Sequence, residues 1–263
     1  MEYALVTGAS SGIGLEYARG LAARGYGVVV VSNRQEENEK VADAIRSDYP
    51  VEAFPLYADL TESDSADRIY QWCEDKGIRI SVLVSNAGIL HFAKLVHTDP
   101  AAIDRIIALH CTTPVKLCRL FAGDMCRRRE GHILIMSSMT AWTPYPTMSL
   151  YGSTKVFLRN FGQSLWYEFR DANVSVTTVF PGAVDTSLYN LDGKLRRRLC
   201  RIGLMSSPEK VAAGGLRAMF GKKRKYVPGV LTRIEIVCCK VLPAFALVPM
   251  LRISALKRIL DKA

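Results

Sequence analysis

The sequence holds little that would carry it across a membrane or staple it together by covalent or metal links. A bilayer-spanning helix needs ~20 apolar residues. Within the apolar segment Val230–Leu251 the longest uncharged stretch is Val241–Leu251, which is too short. Its seven cysteines are Cys73, Cys111, Cys118, Cys126, Cys200, Cys238 and Cys239. Their number is odd and no pair has zinc-ligand spacing, which argues against a disulfide framework or a metal site. Cys238-Cys239 lacks a third and fourth ligand. No secretory leader stands before Glu2 and Tyr3, so the expectation is a cytosolic protein with reduced thiols. There is no internal repeat and no low-complexity linker, which excludes a solenoid or a tethered array.

Acidic side chains run short in one region only. From Leu191 onward there are 17 Lys and Arg against Asp192, Glu209, Glu235 and Asp261, whereas residues 1–190 hold 18 basic and 21 acidic side chains. The net charge of +10 therefore belongs to the tail. No recognition motif accompanies it, so nucleic-acid binding rests on charge alone and is not expected.

What is present is a globular composition, 49% hydrophobic and 23% charged, over 263 residues. That length suits one large α/β domain or two small ones. Short apolar runs, Tyr3–Val6, Gly27–Val31, Val51–Tyr57, Ile80–Val84, Ile133–Met136 and Val174–Phe180, suit strands. Between them Leu15–Arg24, Glu37–Ser47, Ser65–Glu74, Ile103–Arg128 and the stretch from Tyr151 suit helices. In the long fourth helix Ile103, Ile106, Ile107, His110 and Val115 make the expected buried stripe, and Pro114 marks a kink or a helix start. After Tyr151, Val156, Phe157, Asn160 and Phe161 recur at helical spacing. This alternation predicts a doubly wound parallel sheet with helices on both faces.

Thr7-Gly8-Ala9-Ser10-Ser11-Gly12-Ile13-Gly14 joins the first strand to the first helix. Glycines there let the backbone turn tightly and a pyrophosphate approach the free N–H groups of the helix N-terminus. After the second strand comes Ser32-Asn33-Arg34, where a dinucleotide's adenosine ribose is met. An acid at that place would bind a 2′-hydroxyl; here there is none, and Arg34 suits a 2′-phosphate, which favours NADP(H) over NAD(H). Asn86-Ala87-Gly88, after the fourth strand, suits close packing on a flat ligand.

Tyr151 and Lys155 are four apart and share a helix face. Ser138, at the end of the fifth strand, can meet them. A phenol near pKa ~10 is a weak acid–base group at neutral pH, and a neighbouring ammonium pulls its pKa down. A hydroxyl opposite can hold a substrate oxygen as its charge changes.

With Thr7–Gly14, Asn86-Ala87-Gly88, Ser138, Tyr151-x-x-x-Lys155 and Pro181-Gly182 in this order, residues 2–190 resemble the short-chain dehydrogenase/reductase family. The resemblance implies a single Rossmann-like domain over residues 1–190. It also implies hydride transfer between NAD(P)(H) and a ketone or secondary alcohol. In its terms Thr7 supports the glycine turn, Asp59 and Leu60 border the adenine, and Asn86, Ala87 and Gly88 flank the cofactor. Ser138 orients the substrate carbonyl, Tyr151 is the acid–base group, and Lys155 binds the nicotinamide ribose. Pro181, Gly182, Val184 and Thr186 lie by the nicotinamide amide. His110 stands where the family has an Asn in its proton relay. It is either a satisfied buried histidine or a stand-in, as hydrogen-bond partner or proton shuttle. Members of the family form homo-oligomers through the helices that hold Ile103–Arg128 and Tyr151–Arg170.

Residues 191–263 form a helical, basic and apolar extension. An amphipathic helix over Ser187–Leu204 would turn leucines to the substrate and Arg196-Arg197-Arg198 to water. Ser207-Pro208 reads as a helix start. Lys222-Lys223-Arg224-Lys225 beside the apolar Val230–Leu251 suits peripheral contact with an anionic membrane. The tail resembles those of reductases acting on steroids or long-chain 3-keto lipids. The rival reading is a cofactor-binding, membrane-attached regulatory protein with little turnover.

Overall fold

The computed structural model describes residues 1–145, 147–186 and 205–241. The helix expected over Ser187–Leu204 and the apolar stretch beyond Val241 lie outside them. Seven strands form one sheet: β1 (Tyr3–Thr7), β2 (Gly27–Ser32), β3 (Ala53–Tyr57), β4 (Ile80–Ser85), β5 (Gly131–Met136), β6 (Val174–Val179) and β7 (Lys225–Tyr226). Their order is β3-β2-β1-β4-β5-β6-β7, and every pairing is parallel. Parallel neighbours need crossovers. These are supplied by α1 (Gly12–Ala22), α2 (Gln35–Asp48), α3 (Ser65–Asp75), α4 (Pro100–Ile107), α5 (Thr113–Arg128), α6 (Ser149–Glu168) and α7 (Pro208–Phe220). A last helix, α8 (Val230–Val241), follows β7. The strand order reverses between β1 and β4, so a crevice opens beyond their carboxyl ends.

The strands are apolar throughout because both faces are covered. Alternate residues point to opposite sides. Ala4, Val6, Val28 and Val30 join Tyr17, Leu21 and Leu216 on the α1/α7 side. Leu5, Val29 and Val31 join Ile69, Phe121 and Leu158 on the other.

The expected single helix over Ile103–Arg128 is corrected in three ways. It begins at Pro100, capped by Asp99, whose carboxylate accepts from the Ala101 N–H at 3.1 Å. A wide π turn, Ala108–Thr112, separates α4 from α5. Pro114 explains it, since a proline has no N–H to give to the His110 carbonyl four residues back. The extra residue in that turn shifts the helical phase. His110 is wholly buried, whereas Ile107, expected in the stripe, is 42% exposed. On α6, Thr154, Lys155, Leu158, Gly162 and Leu165 face inward, and Phe157 lies outside, stacked on Phe161.

From Met205 to Val241 the tail is knit into this core. Ser207 caps α7, its hydroxyl accepting from the Lys210 N–H at 3.4 Å. The basic run ends inside the sheet, because Lys225 opens the edge strand β7, which the sequence reading missed among the charges. Lys222 donates to Asn173 Oδ1 at 2.7 Å and Arg224 to the Tyr167 hydroxyl at 2.6 Å. None of the helices in the described residues is long and apolar enough to cross a membrane.

Helix α7 lies against α1 because Gly215 leaves room for the buried Tyr17: a Cβ there would sit 2.3 Å from the Tyr17 hydroxyl. Gly215→Ala is expected to destabilise the fold by about 1–2 kcal/mol, since overpacking outweighs a helix-propensity gain of about 1 kcal/mol. Gly123→Ala, on α5 with nothing within 4 Å, should stabilise by up to about 1 kcal/mol. Urea melts of both variants check the pair, and equal effects would contradict the packing account.

Candidate active site

The glycine turn is locked to the end of β4. The Thr7 hydroxyl accepts from the N–H groups of Asn86 (2.9 Å) and Ala87 (3.1 Å). The Asn86 amide donates back to the Thr7 carbonyl at 3.0 Å. Gly8 and Gly12 have φ of +66° and +57°, a region open chiefly to glycine. At Gly14 a Cβ would sit 2.1 Å from the Gly8 carbonyl. Ser11, at the start of α1, makes no side-chain cap bond, so the helix's first N–H groups stay open toward the crevice. An anionic pyrophosphate fits such a cradle.

From the turn a cleft of about 470 Å³ runs along the carboxyl ends of the strands. Gly8, Ser10, Ser11, Gly12 and Ile13 line it near α1, with Asn33, Arg34, Asp59 and Leu60 after β2 and β3. Asn86, Ala87, Gly88, Ser138, Tyr151, Lys155, Pro181, Gly182, Val184 and Thr186 line the rest. Thr7, Gly14 and His110 stand behind its wall. Arg34 is exposed and meets no carboxylate at ion-pair distance among the described residues. The Asp59 carboxylate is held by Thr61, which donates its N–H at 2.9 Å and its hydroxyl at 2.8 Å.

Sequence reasoning missed several groups. Arg105, Thr61, Ile89, Leu90 and Leu109 also line the cleft. Asn38 is wholly buried. It accepts from the Ser32 hydroxyl (2.6 Å) and donates to the Ser32 and Leu56 carbonyls (both 3.1 Å), fixing the backbone that presents Arg34. A polar residue on the buried face of α2, beside Val41 and Ile45, was the available signal.

Lys155 is the centre of the other end. The residue is 4% exposed and, among the described residues, its ammonium has one protein acceptor, the Met136 carbonyl at 3.1 Å. An ammonium carries three donors, so two remain for a ligand in the cleft. Burial lowers its pKa from 10.5 to about 8, although Cys111 acts the other way. Ser137 fixes α6 against β5 by donating to the Lys155 carbonyl at 2.8 Å. The ammonium lies 5.5 Å from the Tyr151 ring centre. The Ser138 hydroxyl accepts from the Thr140 N–H at 3.2 Å, which leaves its own proton to give.

His110 sits beneath Tyr151, ring centres 5.7 Å apart at 77°. Its Nε2 takes the Ile89 N–H at 3.0 Å, so that nitrogen carries no proton. The proton is therefore on Nδ1, directed to the Thr154 hydroxyl at 3.0 Å, and Thr154 donates onward to the Tyr151 carbonyl at 2.8 Å. Burial first, and then the Lys155 charge, hold the His110 pKa well below 6.5. The ring is a neutral bridge between the loop after β4 and α6.

Comparison with known proteins agrees with this geometry. The model of the family described as short chain dehydrogenase matches residues 2–194. A very-long-chain 3-oxoacyl-CoA reductase of Bos taurus is 33% identical over 191 residues, covering 71% of this chain and 61% of that protein. A 17-beta-hydroxysteroid dehydrogenase type 3 of Danio rerio is 34% identical over 192 residues, covering 71% and 62%. The chain thus spans less than two thirds of the length of these relatives. Among solved structures, a short-chain dehydrogenase from Sphingobium yanoikuyae in complex with NADPH superposes with a TM-score of 0.80 at 26% identity, over 90% of this chain and 92% of that one. With a sheet of this order, a glycine cradle tied to β4 and a serine, tyrosine and buried lysine on one cleft, the chain belongs to the short-chain dehydrogenase family of oxidoreductases.

Proposed function

We propose that the protein is an NADP(H)-dependent reductase and dehydrogenase that interconverts a ketone and a secondary alcohol of lipophilic kind, a steroid or a long-chain 3-keto lipid. One observation carries this reading: Ser138, Tyr151 and the desolvated ammonium of Lys155 share a cleft whose other end is the glycine cradle. The names of the relatives above support the substrate class. Arg34, exposed beside a strand end without an acid, supports NADP(H) over NAD(H).

The bound nicotinamide would supply or accept the hydride. Toward the alcohol, the Ser138 hydroxyl donates a hydrogen bond to the ketone oxygen and holds it in place, keeping its own proton. Tyr151 then gives that oxygen its phenolic proton. The Lys155 ammonium stabilises the tyrosinate that remains, and its unfilled N–H bonds hold the nicotinamide ribose. His110 acts through Thr154 as a hydrogen-bond bridge that fixes the Tyr151 backbone. In this reading it replaces the family's Asn without shuttling protons.

Oxidation of NADPH and NADH against a panel of steroid ketones, 3-keto lipids and small ketones tests the reading. Turnover with NADPH should fall by at least ~10²-fold in Tyr151→Phe. Arg34→Ala should weaken NADPH about tenfold and leave NADH unchanged. Cofactor binding without turnover across the panel would favour the regulatory reading.

The pH dependence separates the two buried bases. As pH rises through about 8, Lys155 loses its charge, and NADPH affinity for the cofactor-free protein should fall. His110 is already neutral there and contributes no step near pH 6.5. His110→Ala should lower turnover roughly tenfold, the cost of a lost buried hydrogen bond, and His110→Asn should recover it. Unchanged turnover and pH profile in His110→Ala would remove the bridge from the account.

The same reading places the protein in the cytoplasm, peripheral to an anionic membrane and assembled with copies of itself. The outer face of α8 supports the membrane contact, the first of the two associations: Val230, Ile234, Val237 and Val241 are 69%, 52%, 59% and 76% exposed at helical spacing. The exposed Phe157 on α6 and Ile107 on α4 support the second. Flotation with anionic liposomes should carry the protein and Ile234→Glu should not float. Sedimentation of the same preparation reads the assembly, and a monomer would contradict it.

A further inference from the structure

The loop between the two catalytic hydroxyls is held in part from outside the family-matched core. Ser138 precedes it and Tyr151 follows it, so drift of residues 139–150 would separate both from each other. The loop is strained. Thr147 is β-branched and has φ of +66°, a region such residues rarely enter. Backbone of this kind persists only where its surroundings over-determine it.

Contacts from three elements do so. The Ala93 N–H donates to the Thr147 carbonyl at 2.9 Å. From α6, Arg159 donates to the Ala141 carbonyl at 2.6 Å and lies 4.4 Å from the Trp142 ring centre. From α8, Glu235 accepts the Tyr145 hydroxyl, and the Lys240 ammonium lies 3.8 Å from the Trp142 ring centre. A hydrogen bond to a carboxylate and a cation over an indole are the stronger kinds of such contacts. The same helix buries Ile236 and presses Thr232 on Gly182, where a Cβ would sit 2.6 Å from the Thr232 hydroxyl. Helix α8 thus touches both banks of the cleft, and it lies beyond residue 194, where the family match ends.

We propose that Glu235 and Lys240 are positioning residues: by clamping Tyr145 and Trp142 they set the spacing of Ser138 and Tyr151 and the width of the substrate end of the cleft. The proposal rests on the ketone reductase reading. None of the four clamp residues lines the dinucleotide cleft, so the clamp governs ketone handling and leaves cofactor binding alone.

The test combines steady-state kinetics, NADPH fluorescence titration and amide hydrogen exchange of residues 139–148. It compares Glu235→Gln, Tyr145→Phe, their double variant, Lys240→Met and Lys240→Arg. Each of Glu235→Gln, Tyr145→Phe and Lys240→Met should lower kcat/KM for the ketone about tenfold. NADPH affinity and melting temperature should hold, and amide exchange in the loop should speed up. The double variant should be no worse than either single, and Lys240→Arg should keep the wild-type rate. Unchanged exchange in Glu235→Gln and Lys240→Met overturns the clamp. So does a loss of NADPH affinity and thermal stability in parallel with activity, which marks a merely structural role. If the wild-type protein reduces no ketone, the reductase reading fails, and hydrogen exchange alone still decides the clamp.

Discussion

The burial of one ammonium sets the terms for the rest of the site. Lys155 is taken out of water between α6 and the end of β5 and, among the described residues, given a single carbonyl in return. Lowering its pKa from 10.5 to about 8 corresponds to about 3 kcal/mol of lost preference for the charged form. Its pKa is lower folded than unfolded. The penalty therefore opposes folding in full below about pH 8 and disappears as pH rises from there toward the unfolded value. The rest of the fold supports that cost, and a ligand that fills the remaining N–H bonds offsets it. The surrounding neutral groups are arranged to leave that charge alone. His110, which stands behind the cleft wall, is kept unprotonated by burial and by the same ammonium.

Geometry delivers the other partners to this point. A parallel sheet that reverses its order between β1 and β4 opens a crevice there. The Thr7–Asn86 bonds hold the two lips of that crevice together at the glycine turn. The chain from β5 to α6 then sets Ser138, Tyr151 and Lys155 around the far end. What remains to be fixed is the loop between Ser138 and Tyr151, and part of its support comes from a helix near the other end of the chain.

The sheet, the glycine cradle and the serine, tyrosine and lysine were legible in the sequence because each rests on a local pattern. Apolar runs mark β1 to β6, glycines mark a turn with positive φ, and a four-residue spacing marks a helix face. What escaped depends on features that local pattern does not carry. Pro114 widens a helix into a π turn; His110 is buried as a regular 3.6-residue reading expects, but Ile107, expected in the same stripe, faces outward. Strand β7 is two residues long and begins with a lysine, so edge pairing and not its own apolarity makes it a strand. Arg105 came into place through tertiary contact, and the Glu235–Tyr145 pair joins residues 90 apart in sequence.

The most direct test of the central claim is isotopic. NADPH deuterated at the transferring position of its nicotinamide ring would be incubated with the protein and a 3-keto lipid or steroid ketone, and the product analysed by mass spectrometry. The account predicts an alcohol carrying the deuterium on its carbinol carbon, with none formed by the Tyr151→Phe variant. Tight NADPH binding without label in any alcohol, or the same labelled product from the variant, would contradict it.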